Sequence, residues 1–416
     1  METVSYQTTP QDVYRNRESI YWLRVTSKSL GVWPESVGAG SEKQFLWKFL
    51  YKFMIGMHWF NAFCQLEFFV HNFGELKTIT EGLCSFASLC TTGVKIMRLH
   101  HFSKDIRTML EQMETHHFLK EIKFLKSNDN RDAFQRIDRS VKAKWKEVNL
   151  NLRLYSFSVA IVAASYSIVP AVINLVNLIQ ANDVPKRFVY KTYYPYMEQL
   201  KNTSPLHELF FCSESLSGFT TFAGVIAFDG LYVLLTMHLV TLFRTLNDIV
   251  KETTNESLTE DQKLFLLREC ILHHTRALDF LKRINRIFSP ILLMQVFTST
   301  SIICVIAFHV KASGNDSQIL VMILYLIAAL YQLLQFCWYG QRVQNESLQL
   351  PKSVYECYWY RCARKFKSTL NIVLLDVQKT VDISAYGLFV MSLETYLTIV
   401  RTAASYFTAL QTLTEE

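Results

Sequence analysis

Apolar positions along this chain gather into blocks separated by polar, charged stretches. Seven blocks, near 45–71, 78–97, 148–180, 216–243, 287–310, 318–341 and 385–410, approach or exceed the roughly 20 mostly apolar residues that carry a helix across a bilayer. Val159–Leu178 and Ile319–Trp338 contain no Asp, Glu, Lys or Arg. The second block is the weakest, with Glu81 and Lys95 near its ends and Ser and Thr diluting it. The first opens on Lys48 and Lys52, whose long stems let the charge reach the interface. Between blocks the pattern turns amphipathic. Phe118, Ile122 and Leu125 recur at helical spacing within 98–146, Leu264, Leu267 and Ile271 within 244–286, and Phe366, Leu370 and Val373 within 342–379. The pattern predicts an all-α membrane protein with seven transmembrane helices plus a cytoplasmic helical anchor bundle.

The predicted organisation runs as follows. Residues 1–44 form an N-terminal segment, and 45–243 hold the first four spans and a ligand-binding bundle. Residues 244–286 are a helical extension, 287–341 the fifth and sixth spans, 342–384 anchor helices, and 385–416 the last helix and C-terminus. Residues 1–44 show no short apolar block behind a basic tip, so the first span is expected to act as the insertion signal.

Composition agrees with the pattern. Half of the residues (50%) are hydrophobic and 19% are charged, below the quarter usual for soluble domains. The net charge of +7 matters less than its distribution, because cytoplasmic loops collect Lys and Arg. With seven spans, the loops on one side hold 32 of the 43 basic residues and those on the other side 6. This predicts a cytoplasmic N-terminus and an extracellular C-terminus, the reverse of a G-protein-coupled receptor. The sequons at Asn202 and Asn315 then fall outside and are expected to accept glycans, while Asn255 and Asn345 fall inside. The loop 181–215, with Pro185, Pro195, Pro205 and clustered Tyr, is expected to be an ordered lid.

Candidate chemistry is sparse. There is no phosphate-binding glycine loop, His-Glu-x-x-His or nucleophile elbow, so no enzyme, cofactor or nucleic-acid partner is expected. The nine cysteines read as small apolar residues, and the pairs His100-His101, His116-His117 and His273-His274 as surface residues rather than metal ligands. In the last block Thr398, Thr402, Ser405, Ala409 and Thr412 follow at spacings of 4, 3, 4 and 3, placing small polar residues on one helical face. Such a stripe lines a water-filled pore or forms a close-packed seam, and spacing alone does not choose. Glu81, Asp229, Glu394 and Arg401 are intramembrane charges expected to face water or a partner. Phe86, Tyr155, Tyr166, Phe222, Tyr232, Phe297 and Tyr325, with Ser165 and Thr221, are candidates to line a pocket for a small apolar molecule. Simple helix packing is the alternative for each.

Several motifs together resemble the insect odorant receptor family. Leu30-Gly31-Val32-Trp33-Pro34 resembles its Gly-x-Trp-Pro before the first span. Tyr194-Pro195 and Ser204-Pro205-Leu206-His207-Glu208 resemble its external-loop pattern, with His207 in place of Tyr. The C-terminal third is the most specific, through Trp359-Tyr360, Gln378-Lys379, Gly387-Leu388-Phe389, Ser392-Leu393-Glu394-Thr395-Tyr396-Leu397 and Ser405-Tyr406-Phe407-Thr408. Ala403-Ala404 and Thr380 depart from the pattern, at the positions of a Ser-Tyr and a Pro. Arg401-Thr402 stands where gustatory receptors carry Gln-Phe, and residues 251–262 leave no room for the co-receptor's extended inner loop.

The resemblance implies an odorant-specific tuning subunit of a ligand-gated, non-selective cation channel. It implies a tetramer shared with co-receptor subunits, in the plasma membrane of sensory neurons. The ligand would be a small volatile odorant held in the outer half of the bundle, with lipid around it. It also implies that the last helix lines the pore, with gate positions at Ala409 and Leu413 and Thr412 between them. A gustatory-type channel and a metabotropic seven-helix receptor are the alternatives.

Overall fold

The structure, a computed structural model, describes residues 17–32, 41–74, 76–115, 131–180, 184–312 and 318–415. Ten α-helices lie among the described residues: α1 Arg17–Ser29, α2 Ser41–His71, α3 Leu76–His101, α4 Ser103–Thr115, α5 Arg131–Ile179, α6 Leu206–Glu252, α7 Glu260–Ala312, α8 Gln318–Glu356, α9 Arg364–Val377 and α10 Leu393–Glu415. A short hairpin, β1 Ser384–Ala385 and β2 Phe389–Val390, precedes α10. Phe118, Ile122, Leu125, His116, His117, Trp33, Pro34 and Asn315 lie outside the described residues, as do the side chains of Glu81, Leu410, Thr412 and Leu413.

Among the described residues, four helices are long and apolar enough to cross a membrane, within Lys146–Ile179, Leu206–Glu252, Glu260–Ile306 and Val321–Arg361. They correspond to the third to sixth predicted blocks. At about 1.5 Å per residue, α5, α6 and α7, of 49, 47 and 53 residues, far exceed a bilayer's hydrocarbon thickness. Their excess length builds a second core. Leu246 and Ile249 of α6, Leu267 and Cys270 of α7, Val354 of α8, and Phe366 and Leu370 of α9 bury one another there. Stripe residues Leu246, Ile249, Leu267, Phe366 and Leu370 meet in that core, while Leu278 and Leu281 join the main one.

The centre of the main core is α6, which packs against α8, α5, α7, α1, α2 and α3. Small residues permit these approaches. A Cβ on Gly224 would lie 2.6 Å from Thr92 and 2.8 Å from Ile96 of α3. Helix α1 ends where Gly31, at φ +67°, lets its N–H reach Lys28 O (2.9 Å) and Val32 N–H reach Ser27 O (2.9 Å). This Schellman cap requires a left-handed residue, which accounts for the glycine of the N-terminal motif.

Three expectations are corrected. The last helix does not begin near 385. Tyr386 and Gly387 have positive φ (+53° and +71°), which turns the chain into the hairpin. Ser289 Oγ donates to Ser384 O (2.7 Å) and accepts from Tyr386 N–H (2.5 Å), pinning that hairpin to α7. Ser392 Oγ then accepts from Thr395 N–H (3.2 Å), capping α10 at its true start. The second correction concerns His273 and His274, which are buried rather than superficial. His274 lies edge-on to Phe243 of α6 and 3.8 Å from Asp376 of α9, because α7 packs on both faces here. The third concerns the aromatic residues Phe86 and Phe297, described with the cavity.

Candidate functional site

Five helices enclose a cavity of about 120 Å³ in the half of the bundle that faces the 184–205 loop. Each helix contributes one face at spacings of 3, 4 and 7. Helix α6 supplies Gly218, Thr221, Phe222 and Val225; α7 supplies Gln295, Thr298, Ser299 and Ile302; α8 supplies Tyr325, Ala328, Ala329 and Gln332. Helix α3 brings Ser85, Ser88, Leu89 and Thr92, and α5 brings Tyr155, Val159, Val162 and Tyr166. The walls are mostly apolar, with hydroxyls spaced among rings, a composition suited to a small, weakly polar guest.

Of the aromatic residues singled out in the sequence, Tyr155, Tyr166, Phe222 and Tyr325 meet at this cavity. The Tyr166 and Tyr325 rings lie edge to face at 6.3 Å, and Tyr325 O–H shares a hydrogen bond with Ser88 Oγ. Thr221 also lines it. Phe86 does not, because it turns toward α2 and packs edge-on against Phe69 at 5.3 Å. Phe297 is 58% exposed, since Gln295, Thr298 and Ser299 occupy the inward face of α7 and leave it outside. Tyr232 sits deeper, its O–H donating to Phe336 O (3.0 Å). Ser165 lines a second, larger hollow of about 440 Å³, which shares Ser85, Tyr166 and Tyr190 with the first and runs beneath the loop.

The cavity floor is a polar network that the sequence foreshadowed only in part. Lys95 Nζ of α3 donates to Asp229 Oδ1 of α6 at 2.8 Å, and both side chains are 1% exposed. Asp229 Oδ2 accepts from Tyr155 O–H (2.5 Å) and from Gln332 Nε2 (2.6 Å). Gln295 Nε2 of α7 continues the chain to Gln332 Oε1 (3.0 Å). The Phe228 and Phe336 rings each lie 5.5 Å from the Lys95 ammonium. Five helices therefore meet in one network around a paired charge. A buried ion pair persists only with further partners, and here Tyr155 and Gln332 supply them to Asp229 while the two rings face Lys95. Sequence reading identified Asp229 but took Lys95 merely as a blemish in a weak span. Opposite charges in two apolar blocks were the available signal.

The roof is the loop 184–205, held by Glu214 of α6, a residue that the sequence did not draw out. Its carboxylate is fully buried and accepts from Val189 N–H (2.8 Å), Tyr190 N–H (3.1 Å), Thr192 O–H (2.7 Å) and Tyr194 O–H (2.7 Å). Burial, and then the Glu214 charge, push the Tyr194 hydroxyl's pKa up, so it stays protonated and donating. Asn174 of α5 pairs with the Arg187 backbone through both its side-chain atoms (2.7 and 2.6 Å). Tyr190 of this loop closes the top of the cavity. Asn202, in the same loop, is exposed.

Helix α10 stands apart from the cavity and packs on α7 and α8. Ile399 and Ala403 are buried in that seam. Thr398, Ser405 and Ala409 are exposed and Thr402 half-buried, so the polar stripe is left largely uncovered by its own chain. Glu394 and Arg401 are exposed as well. Among the described residues no cluster of His, Cys, Asp or Glu has the makings of a metal site.

This is the architecture of a helical membrane protein, with an apolar cavity in the bundle and a terminal helix packed at its side. The sequence profile described as 7tm Odorant receptor matches residues 75–404, and the chain belongs to that family. It is similar to Odorant receptor 63a of Drosophila melanogaster, 27% identical over 290 residues that make up 68% of each chain. A shorter stretch of 157 residues, 37% of this chain and 33% of the other, is 28% identical to the Odorant receptor coreceptor of Anopheles gambiae. The match to Odorant receptor 63a is longer than that to the coreceptor, and the family is one of receptors rather than enzymes. In fold it is similar to the insect olfactory receptor OR5 from Machilis hrabei, solved in complex with eugenol. The TM-score is 0.76 at 15% identity, covering 97% of this chain and 100% of that one.

Proposed function

We propose that this chain is the odorant-specific subunit of a ligand-gated, non-selective cation channel, assembled with co-receptor subunits around a central pore. The observation that carries the proposal is the pairing of an aromatic-lined cavity with a terminal helix whose polar stripe its own chain leaves largely uncovered. Tyr155, Tyr166, Phe222 and Tyr325 hold the volatile, and eugenol in the related OR5 illustrates the size of guest such a fold accepts. Thr398, Thr402 and Ser405 face the pore, with the gate at Ala409 and Leu413 and Thr412 between them. The α2, α3 and α10 helices complete seven spans, with the N-terminus cytoplasmic, the C-terminus outside, and Asn202 and Asn315 on the glycosylated side. The α6–α9 core supplies the assembly domain below the membrane. Occupancy opens the pore only by the difference in affinity between open and closed states.

Co-expression with a co-receptor in a cell without other receptors tests the reading. Odorant-evoked cation current is expected, together with block by water-soluble thiol reagents after Ser405→Cys or Ala409→Cys. Current that needs a G protein, or block confined to Phe407→Cys, would overturn it.

A further inference from the structure

The cavity's polar atoms are not evenly divided between donors and acceptors, and the imbalance bears on which volatiles fit. Gln295 lines the cavity and is 5% exposed. Its Nε2 donates to Ser299 Oγ (3.0 Å) and to Gln332 Oε1 (3.0 Å), so both of its hydrogens are used. Its Oε1 is buried and has no hydrogen-bond partner among the described residues. The amide orientation is forced. Gln332 Nε2 is held by Asp229 (2.6 Å), so Gln332 presents only its oxygen to Gln295, and a flipped Gln295 would set oxygen against oxygen.

The wall hydroxyls add to the excess of acceptors. Thr91 O–H donates to Ala87 O (2.7 Å), Thr221 O–H to Ser217 O (2.9 Å), and Thr298 O–H to Met294 O (2.9 Å). Each uses its single proton on its own helix, four residues back, and keeps only lone pairs for a guest. An ether, ester or ketone only accepts. It would leave Gln295 Oε1 orphaned at the moment the site is sealed. A hydroxyl donates there, and its own lone pairs still meet the Tyr166 phenol that lines the same space.

We propose that the cavity selects volatiles bearing a hydroxyl, alcohols and phenols, over ethers and hydrocarbons of the same skeleton, with Gln295 as the specificity-determining acceptor. The inference rests on the cavity being the odorant site. One recovered hydrogen bond to a buried acceptor corresponds to about tenfold in affinity, and a site built to pair a hydroxyl discriminates against analogues that lack it.

Dose–response curves for alcohols, each matched with its methyl ether and its parent hydrocarbon, test this on the full chain co-expressed with a co-receptor. The alcohols are expected to be about tenfold more potent in the wild type. Gln295→Leu is expected to bring the alcohol-to-ether ratio close to one without weakening the hydrocarbon. Should that variant fail to reach the cell surface, Thr221→Val serves in its place and should narrow the ratio several-fold. Equal potency of alcohols and ethers in the wild type overturns the proposal outright, as does an unchanged ratio in a surface-expressed Gln295→Leu. Failure of the underlying site is distinguishable. There, filling the cavity with Ala328→Trp would leave every response intact, whereas failure of this inference alone leaves Ala328→Trp inactive and only the ratio flat.

Discussion

Helices α5 and α6 are both apolar enough to cross a bilayer, yet they occupy opposite surroundings. In the most apolar window of α6, 83% of residues are buried inside the chain; in that of α5, 0% are. Hydropathy does not separate them, because lipid tails are as apolar as Leu and offer no less favourable a neighbour. What separates them is size and polarity. Helix α6 carries Ala223, Gly224, Ala227, Asp229 and Gly230 where neighbours press close, and Ser217, Thr220 and Thr236 among them are all buried. Helix α5 turns Ile168, Val172, Leu175 and Leu178 outward, between 50% and 75% exposed. In an apolar solvent, the central helix is the one whose small and polar residues require partners, and the peripheral helix is the one whose large aliphatic residues require none.

Asp229→Leu is the harshest way to break this contrast. It strands Lys95 in the core, and removing one partner of a buried pair costs about 3–5 kcal/mol. Loss of folded, surface-expressed protein is the expected outcome by size-exclusion profile and surface labelling. The double variant Lys95→Leu with Asp229→Leu should recover most of it, since replacing both charges is near neutral. No single change on the outer face of α5 should approach that loss. Gly224→Leu comes next. Its side chain enters space already taken by Thr92 and Ile96, an overpacking worth about 1–3 kcal/mol, read as a lower Tm in detergent. The smallest effect belongs to α5: Leu175→Ala should stay within about 0.5 kcal/mol by the same assay. A Leu175 variant as damaging as Gly224→Leu would mean that the outer face of α5 also packs against protein.

The same contrast explains how far the sequence could be read. Long apolar blocks with abrupt polar edges announced α5 to α8, and amphipathic stripes announced the α6–α9 core, because both are local patterns. Which face of a block meets a cavity is not local. Phe297 and Tyr325 looked alike as aromatics in apolar helices, but only the packing of α7 against α8 decided that one points outward and the other inward. Glu214 was illegible for the same reason, since its four donors come from a loop that reaches it only after folding. The start of α10 was missed because Gly387 and Ser392 act as punctuation within a stretch that is otherwise apolar. The family motifs were legible before the structure, and some now have physical causes: Gly31 caps α1, Gly387 turns the hairpin, and Ser392 starts α10.

Filling the cavity tests the central claim most directly. Ala328 lines it from α8, one helical turn from Gln332. In cells expressing a co-receptor with either the wild-type chain or Ala328→Trp, current evoked by an active odorant should disappear in the variant while its surface abundance stays at the wild-type level. An unchanged dose–response curve in a normally expressed Ala328→Trp would contradict the account, because the ligand would then be acting somewhere other than the space these five helices enclose.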